Sequence, residues 1–401
     1  MTPWLTVIGV GLEGAADLNQ TARRSLAGAQ VVAGSERLLD AVDVPAGKRY
    51  PWPSPFSQGI SHILSLRGSA VVVLASGDPM HFGVGATLAE HVPVAEMTVL
   101  PAPSALSLAA ARMGWPLQDV ICISLHGRPL ETLYPALHGG ARILILTRDG
   151  DAPSEIMSLL MQAGYGSSQV SILENLGGRD EMRHDLVAEE HSFDGYAPLN
   201  VMAVHCVADP DVQYLPPLPG LPDGAFMHDG QLTKREVRAV TLAALAPTPG
   251  QRLWDVGAGC GSVAIEWLRA APRSQVVAFE RDGERARFIE QNALRLGVPQ
   301  LAIVDGILPD SLNGQAPPDA VFHGGALADD EVFAACWSAL TSGGRLVANA
   351  VTLEGETALA QRHREYGGEL VRIAVAKAVA VGAFRGMQPG MAVMQWRAVK
   401  S

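Results

Sequence analysis

The chain has 401 residues, of which 48% are hydrophobic and 18% are charged, and its formal net charge is −11. This composition predicts well-buried cores and, at this length, two domains rather than one. The acidic charge argues against nucleic acid as a partner, no apolar stretch reaches the ~20 residues that a membrane span needs, and the first residues do not show the pattern of a secretion signal.

Apolar β-branched runs alternate with segments of helical spacing in the first half of the chain. Strands are predicted at residues 5–11, 71–79, 142–147 and 200–207, and helices at 103–114 and 152–164. Continuous apolar strands separated by helices are typical of an α/β layer fold with a mostly parallel sheet.

The segment "ADPDVQYLPPLPGLPDG", residues 208–224, is the richest in proline. Proline and glycine at this density favour a stiff extended connector over a helix or strand. We therefore predict a first domain at residues 1–207, a linker at 208–225 and a second domain at 226–401.

Beyond this connector the alternation of strands and helices becomes more regular. Strands are predicted at residues 252–257, 275–280, 301–306, 319–325 and 345–351, and helices at 234–246, 262–271 and 283–297. This order predicts a doubly wound, Rossmann-like sheet.

A glycine-rich turn follows the first strand of the second domain, in "LWDVGAGCGSVAIEW", residues 253–267. Open α/β sheets bind ligands at the carboxyl ends of their strands, and glycine lets a ligand approach the backbone closely. Dinucleotide-binding turns have the spacing G-x-G-x-x-G, whereas the third glycine here comes one position earlier.

Two acids near this turn favour S-adenosylmethionine, which carries an amino acid and a ribose but no phosphate. Asp255 precedes the turn and is placed for an amino group, and Glu280 ends the second strand, where a carboxylate can accept hydrogen bonds from both ribose hydroxyls. A nicotinamide-dependent dehydrogenase and a purely structural turn remain as alternatives.

Two further strand ends are candidates for the same site. Asp305-Gly306 ends the third strand, at a position that could recognise the edge of an adenine ring. His323 ends the fourth strand. His323 is a candidate for proton transfer, although a lone histidine beside glycines is more typical of a residue that lines a pocket.

Five segments of the second domain carry a family resemblance: "LTKREVRAVTLAAL", "LWDVGAGCGSVAIEW", "FERD", "ACWSALTSGGRLVANAVTLE" and "KAVAVGAFRGMQP". Together they resemble the CbiT family of S-adenosylmethionine-dependent methyltransferases of corrin biosynthesis. The family has a small residue where His323 stands, so it does not support a catalytic role there. The resemblance implies cofactor contacts at Thr233, Gly257, Ala258, Gly259, Cys260, Gly261, Glu280 and Gly306.

The first domain resembles the CbiE branch of the tetrapyrrole (corrin/porphyrin) methylases. The resemblance rests on "VIGVGLEGAADL", "VVAGSERLLD", "ASGDPMHFGVGATL" and "PAPSALSLAAARMGWPLQDV". It implies two α/β subdomains, a cofactor site at Gly77, Asp78 and Ser104, and a first glycine turn whose Gly9 and Gly11 face the substrate. That turn lacks the proline of the family's usual G-x-G-P-G.

Fusion of the two families in this order resembles the bifunctional, decarboxylating precorrin methyltransferases of cobalamin biosynthesis. The resemblance implies two methyl transfers from S-adenosylmethionine, one cofactor per domain, to carbons 5 and 15 of precorrin-6B. It also implies loss of carbon dioxide from the ring C acetate, precorrin-8 as product, and a homo-oligomer. The alternatives are methylation of another tetrapyrrole, and a scaffolding role for one half.

Such a substrate carries many carboxylates, so an acidic protein needs local cations to bind it. Arg238 and Arg385 are the candidates for substrate contact, because arginine can hold a carboxylate through two hydrogen bonds. Lys234, Arg235 and Lys377 are further cations near the predicted site. For each of them, an ordinary solvated charge is the alternative.

The four cysteines, Cys122, Cys206, Cys260 and Cys336, are far apart and form no CxxC pair. This usage is typical of a reduced, cytoplasmic protein and indicates no zinc site. We therefore expect a cytoplasmic enzyme without a metal.

Overall fold

A computed structural model of the chain describes residues 3–191 and 195–401. It divides into two compact units, one of residues 3–130 with 136–213 and the other of residues 131–135 with 214–401. The main division thus falls inside the proline-rich segment 208–225. Within the described residues, no helix is both long enough and apolar enough to cross a membrane.

The first unit begins with a five-stranded parallel sheet in the order β3-β2-β4-β1-β5. Its central strands are apolar on both faces, as expected for a sheet covered on both sides by helices. The strands are β1 (Leu5–Val10), β2 (Val31–Gly34), β3 (Arg49–Pro51), β4 (Val71–Ser76) and β5 (Met97–Leu100). The helices are α1 (Gln20–Gly28), α2 (Glu36–Ala41), α3 (Phe56–Ser65), α4 (Val84–Ala89) and α5 (Ala105–Met113).

A second five-stranded sheet, in the order β6-β7-β10-β8-β9, completes the first unit. Only β6 and β7 pair in parallel, while the other three pairings are antiparallel. The prediction of a mostly parallel sheet is therefore confirmed for the first sheet of this unit and wrong for the second, because apolar runs indicate buried strands without fixing their direction. The elements are β6 (Ile121–Ser124), β7 (Arg142–Leu146), α6 (Ala152–Gln162), β8 (Gln169–Glu174), β9 (Met182–Val187) and β10 (Asn200–His205).

The second unit is built on a seven-stranded sheet in the order β13-β12-β11-β14-β15-β19-β16. The first five strands are parallel, and β19 is antiparallel to both of its neighbours. The sheet strands are β11 (Arg252–Val256), β12 (Gln275–Phe279), β13 (Ala302–Val304), β14 (Ala320–His323), β15 (Arg345–Ala350), β16 (Glu369–Ile373) and β19 (Val393–Val399). Two further strands, β17 (Ala376–Val381) and β18 (Phe384–Pro389), pair only with each other as a hairpin.

Helices pack against this sheet on both sides, and they begin at capping residues that the sequence supplies. Asp282 and Asp329 each accept hydrogen bonds from the first backbone N–H groups of the helix that follows, as N-cap residues do. The helices are α7 (Arg235–Leu245), α8 (Ser262–Ala270), α9 (Gly283–Arg295), α10 (Asp330–Ala339) and α11 (Leu353–Tyr366).

Residues at the end of the proline-rich segment belong to the core of the second unit. Leu221 and Phe226 are buried. The carboxylate of Glu266 on α8 accepts hydrogen bonds from the backbone N–H groups of Gly220, at 2.6 Å, and Leu221, at 3.0 Å. This stretch is therefore fixed to α8.

Candidate functional site

The glycine turn of the second unit joins β11 to α8. Gly257 and Gly259 have φ of +73° and +60°, which favour glycine over residues with a side chain. The N–H groups of Gly257 and Ala258 donate to the carbonyl oxygen of Phe279, at 3.0 and 3.1 Å. A Cβ on Gly259 would have its nearest neighbour 3.6 Å away, at the Gln231 carbonyl oxygen. The turn is thus held from behind by β12 and open in front.

Glu280, directly after β12, connects the second strand to this turn. One of its carboxylate oxygens accepts a hydrogen bond from Gly259 N–H at 2.8 Å, and the other accepts one from Asp282 N–H at 3.0 Å. The side chain is only 7% exposed, yet it lines the cavity in front of the turn. Because a carboxylate has about four acceptor positions, about two remain for a ligand. The site therefore fits the ribose hydroxyls of S-adenosylmethionine.

The cavity in front of the turn has a volume of about 1610 Å³. Small-molecule pockets are typically ~300–1,000 Å³, so this cavity has room for a cofactor together with a second, large ligand. Apolar and charged side chains alternate along its wall. They include Leu232, Lys234, Glu236, Val237, Val263, Phe279, Arg281, Phe322, Asn349, Val351, Lys377, Val379, Gln388 and Met391.

Asp255, the other acid of the sequence motif, has a different role. It is 1% exposed, and one carboxylate oxygen accepts a hydrogen bond from the backbone N–H of Ala264 at 3.0 Å. The other oxygen has no hydrogen-bond partner among the described residues. Burial, with a contribution from Glu280, raises the pKa of Asp255 to about 7. The prediction that Asp255 meets an amino group is wrong, because its carboxylate faces the start of α8 and does not line the cavity.

The glycine turn of the first unit, after β1, lies against the chain itself. A Cβ on Gly9 would overlap the carbonyl oxygen of Gly77 and approach the backbone nitrogen of Ala102 to 2.6 Å. A Cβ on Gly11 would overlap the carboxylate of Asp17. The glycines here permit close packing of β1 on the neighbouring loops, which is a structural reason for their presence.

The predicted cofactor residues of the first unit are brought close together. A Cβ on Gly77 would lie 3.1 Å from Cα of Ser104. The Ser104 hydroxyl caps α5 by accepting a hydrogen bond from Ser107 N–H at 3.0 Å, and it lies 3.3 Å from Nδ1 of His81. Asp78 accepts a hydrogen bond from Met80 N–H at 2.8 Å.

A smaller cavity, of about 260 Å³, lies in the first unit. Gly9 and Gly11 line it, whereas Gly77, Asp78 and Ser104 do not. The structure therefore places the predicted substrate-facing glycines at this cavity, and it groups the predicted cofactor residues close to one another outside its lining.

Two sequence families match the chain, and each covers one part of it. The family described as "Tetrapyrrole (Corrin/Porphyrin) Methylases" matches residues 5–190, and the family described as "Precorrin methyltransferase domain" matches residues 224–400.

A precorrin-6Y C(5,15)-methyltransferase [decarboxylating] from Sinorhizobium sp. is 48% identical over 397 residues, which cover 99% of this chain and 96% of that protein. The chain belongs to the precorrin-6Y C(5,15)-methyltransferase (decarboxylating) family. This membership confirms the fusion of two S-adenosylmethionine-dependent methyltransferase domains that the sequence motifs indicated.

Single-domain proteins also resemble parts of this family member. A cobalt-precorrin-7 C(5)-methyltransferase from Salmonella typhimurium is 29% identical over 180 residues, covering 45% of this chain and 89% of that protein. A probable cobalt-precorrin-6B C(15)-methyltransferase (decarboxylating) from Sulfurisphaera tokodaii is 30% identical over 141 residues, covering 34% of this chain and 73% of that protein.

Most of the predicted cofactor residues of the second unit lie together at the large cavity. Those that line it are Thr233, Gly257, Ala258, Gly259, Glu280 and Gly306. Cys260 and Gly261 are not among the residues that line it, so their contact with the cofactor stays a prediction. The Cys260 side chain is buried in the core, and Gly261 packs against Ile289 on α9.

Arg238 is a further correction, because its side chain is fully buried. Its guanidinium pairs with Glu266 at 2.6 Å and with Asp223 at 3.2 Å, donates to the carbonyl oxygens of Thr233 and Leu221, and lies over the Phe226 ring. A guanidinium engaged in this way has no group free to bind a substrate. Arg238 instead fixes the segment before α7 to α8.

Arg385 and His323 also lie outside the cavity lining. Arg385 is exposed on the β17–β18 hairpin. His323 is 1% exposed at the end of β14, and burial, followed by the nearby Arg362, lowers its pKa to about 4. The imidazole is therefore neutral at physiological pH, while its neighbours Phe322 and Gly324 line the cavity.

Asn349 at the cavity wall was not singled out from the sequence. Its side chain donates to the hydroxyl of Thr241 at 2.9 Å and accepts from the amide of Gln395 at 2.8 Å. The three residues come from α7, β15 and β19, so no local pattern connects them. The nearest sequence signal was the segment that ends in "NAVTLE", which contains Asn349 and carries part of the family resemblance.

Proposed function

We propose that this chain transfers two methyl groups from S-adenosylmethionine to precorrin-6B, at carbons 5 and 15, and removes the carboxyl group of the ring C acetate to give precorrin-8. The observation that carries the proposal is the large cavity at Glu280 and the glycine turn, in a chain that resembles, over 99% of its length, an enzyme named as a decarboxylating precorrin-6Y C(5,15)-methyltransferase.

We assign methylation at carbon 15 and decarboxylation to the second unit, and methylation at carbon 5 to the first. The existence of separate C(5) and C(15) relatives, each matching less than half of the chain, supports a division of labour. The motifs support the direction of the assignment, since those of the second unit resemble the CbiT family and those of the first resemble the CbiE branch.

Bound S-adenosylmethionine supplies an activated methyl group on its sulfonium. In the second unit, Glu280 would hold the ribose hydroxyls, and the open space in front of Gly259 would let the cofactor approach the backbone. Holding the methyl group and the attacking carbon in line accounts for ~7–11 kcal/mol of the barrier in well-oriented reactions. No side-chain nucleophile is needed for this transfer.

The cavity wall also favours loss of carbon dioxide. Val237, Val263, Val351 and Val379 line the cavity and present apolar surface to a ligand. An acetate carboxylate placed against these side chains loses hydration that it keeps in solution, and decarboxylation is favoured because carbon dioxide is uncharged. The electrons of the broken bond pass into the conjugated ring system.

In the first unit, Gly77, Asp78 and Ser104 would hold a second S-adenosylmethionine, and Gly9 and Gly11 would face the tetrapyrrole. This part of the proposal rests on the family motifs and on the proximity of these residues. A cavity of about 260 Å³ is too small for a whole tetrapyrrole, so it would take an edge of the substrate.

We also propose that the chain forms a homo-oligomer. Apolar side chains stand exposed on the β17–β18 hairpin: Val381 is 58% exposed, Phe384 81% and Met387 66%. Val381 and Phe384 pair across the two strands and so share one face, and an exposed apolar pair of this kind is suited to a protein contact. Light scattering on the purified chain tests this, and a mass of one chain would contradict it.

Mass spectrometry of the products tests the assignment of the two reactions. The full-length enzyme given precorrin-6B and S-adenosylmethionine should add two methyl groups and release one carbon dioxide. Glu280→Gln should abolish carbon dioxide release, yet it should still add a methyl group to a substrate already methylated at carbon 15 and decarboxylated. Glu284→Gln, an exposed change on α9, is the matched control. Carbon dioxide release by Glu280→Gln at the wild-type rate would contradict the assignment.

A further inference from the structure

The β17–β18 hairpin carries a cation to the wall of the large cavity. Nζ of Lys377, on β17, lies 3.2 Å from Oε1 of Glu236, in the first turn of α7. Both residues line the cavity. The ion pair therefore closes part of the wall between the hairpin and α7.

Both partners of this ion pair are exposed to solvent, so another charged group can readily replace one of them. The Lys377 side chain is 61% exposed and that of Glu236 is 42% exposed. Such pairs are weak because water and salt compete for both partners. The pKa of Glu236 is lowered by its own backbone N–H at the start of α7 and by Lys377, so the carboxylate remains charged when it leaves the lysine.

Other cations also stand at the cavity: Lys234, Arg281 and Arg285 line it. Arg285 is paired at 2.7 Å with Asp229, an acid that does not line the cavity. Arg238 is buried and engaged on all sides. Lys377 is instead held by an acid that itself faces the cavity, so a carboxylate entering the cavity can take the place of Glu236 with no net change of charge at the lysine.

We propose that Lys377 binds a carboxylate of the tetrapyrrole substrate, and that Glu236 holds Lys377 until this carboxylate displaces it. The proposal rests on the proposed function. It makes Glu236 an internal competitor that weakens the binding of tetrapyrroles with few carboxylates, since these lack the group that would replace it.

Steady-state kinetics with precorrin-6B and saturating S-adenosylmethionine, on the full-length enzyme, test this exchange. Glu236→Gln should lower KM about two- to fivefold, because the competitor is removed. Lys377→Met should raise KM about tenfold, with the effect on KM rather than kcat. The double variant should have the KM of Lys377→Met, since the competitor acts only through the lysine.

The matched control is another exposed ion pair between a strand and a helix. Arg372 on β16 and Glu356 on α11 lie 3.0 Å apart and do not line the cavity. Arg372→Gln and Glu356→Gln should therefore leave KM unchanged, and thermal melting of each variant establishes that it is folded.

Two results would overturn the exchange. If Glu236→Gln raises KM as much as Lys377→Met does, the ion pair only stabilises the structure and Glu236 does not compete with the substrate. If Lys377→Met leaves KM unchanged, the lysine does not bind substrate. Either result with a wild-type enzyme that releases carbon dioxide leaves the proposed function intact, whereas a folded wild-type enzyme inactive on precorrin-6B contradicts both proposals.

Discussion

The two units each place a glycine turn after their first strand, but the glycines serve different purposes. In the first unit, Gly9 is required because the chain packs against it, with Gly77 and Ala102 where a side chain would be. In the second unit, Gly257 and Gly259 both have positive φ, but a Cβ on Gly257 would approach the backbone of Gly325 to 2.9 Å, whereas the space in front of Gly259 is open. Similar glycine motifs thus reflect close packing at Gly9 and Gly257, and open space for a ligand at Gly259.

The two acids beside the glycine turn of the second unit also differ in this way: one is buried in the structure and the other faces the cavity. Asp255 and Glu280 end neighbouring parallel strands, yet Asp255 is sealed behind the turn while Glu280 lines the cavity. What separates a structural residue from a binding residue is therefore the side of the backbone on which its side chain lies.

The largest effect is expected at Arg238, which supports the second unit without reaching its ligands. Arg238→Met leaves Glu266 buried without its charged partner, and breaking a buried pair in this way lowers the free energy of unfolding by about 3–5 kcal/mol. Hydrogen exchange of α7 and α8 measures the loss. Arg235→Met, an exposed change on the same helix, should have an effect below about 0.5 kcal/mol. If Arg238→Met leaves the protection of α7 and α8 from hydrogen exchange unchanged and raises KM, Arg238 is a substrate contact as the sequence predicted.

A large, pH-dependent effect is expected at Asp255. Its pKa is raised from 3.8 to about 7 in the folded protein, so folding favours the protonated acid. This preference contributes fully to the free energy of unfolding at pH values below the pKa of Asp255 in the unfolded chain. The contribution is lost as the pH rises towards 7, and the loss is about 4 kcal/mol in all.

Asp255→Asn should remove this pH dependence while keeping the hydrogen bond from Ala264 N–H. Denaturant unfolding of both proteins between pH 4 and 7, followed in the second unit, measures the difference. Equal slopes against pH would show that Asp255 does not titrate in this range.

Alanine should lower stability at both turns but should weaken cofactor binding only at Gly259. Gly9→Ala forces a Cβ into backbone atoms and should lower the stability of the first unit by about 1–3 kcal/mol. Gly259→Ala meets open space and should cost only the ~1–2 kcal/mol of its positive φ, but it should weaken cofactor binding.

Thermal unfolding and cofactor titration of both variants make this comparison. Gly28→Ala, at the end of α1 with no atom near the added Cβ, is the control for the first unit. Normal cofactor binding by Gly259→Ala would mean that the ligand does not approach the backbone there.

The smallest effect is expected at His323. Because its imidazole is buried and neutral and does not line the cavity, His323→Leu should change the free energy of unfolding by less than about 1 kcal/mol and leave carbon dioxide release intact. A loss of release greater than about tenfold would assign His323 a part in the reaction after all.

The sequence was informative where a local pattern determines the structure. Periodicity located β11, α8 and β12, and the spacing of the glycines distinguished this turn from a dinucleotide-binding one. It did not show that β8, β9 and β10 run antiparallel, because direction depends on which distant strand lies alongside. Nor did it show that Arg238 is buried, since a helix charge looks the same in sequence whether its partner is Glu266 or water.

The central claim is that each unit binds its own S-adenosylmethionine, with Glu280 as the anchor in the second. Titration calorimetry of the full-length chain with S-adenosylhomocysteine tests it most directly. We expect two molecules bound per chain for the wild-type protein and one for Glu280→Gln, in which an amide group would oppose the N–H of Gly259 or Asp282. A single site in the wild-type protein, or two unaltered sites in Glu280→Gln, would contradict the account.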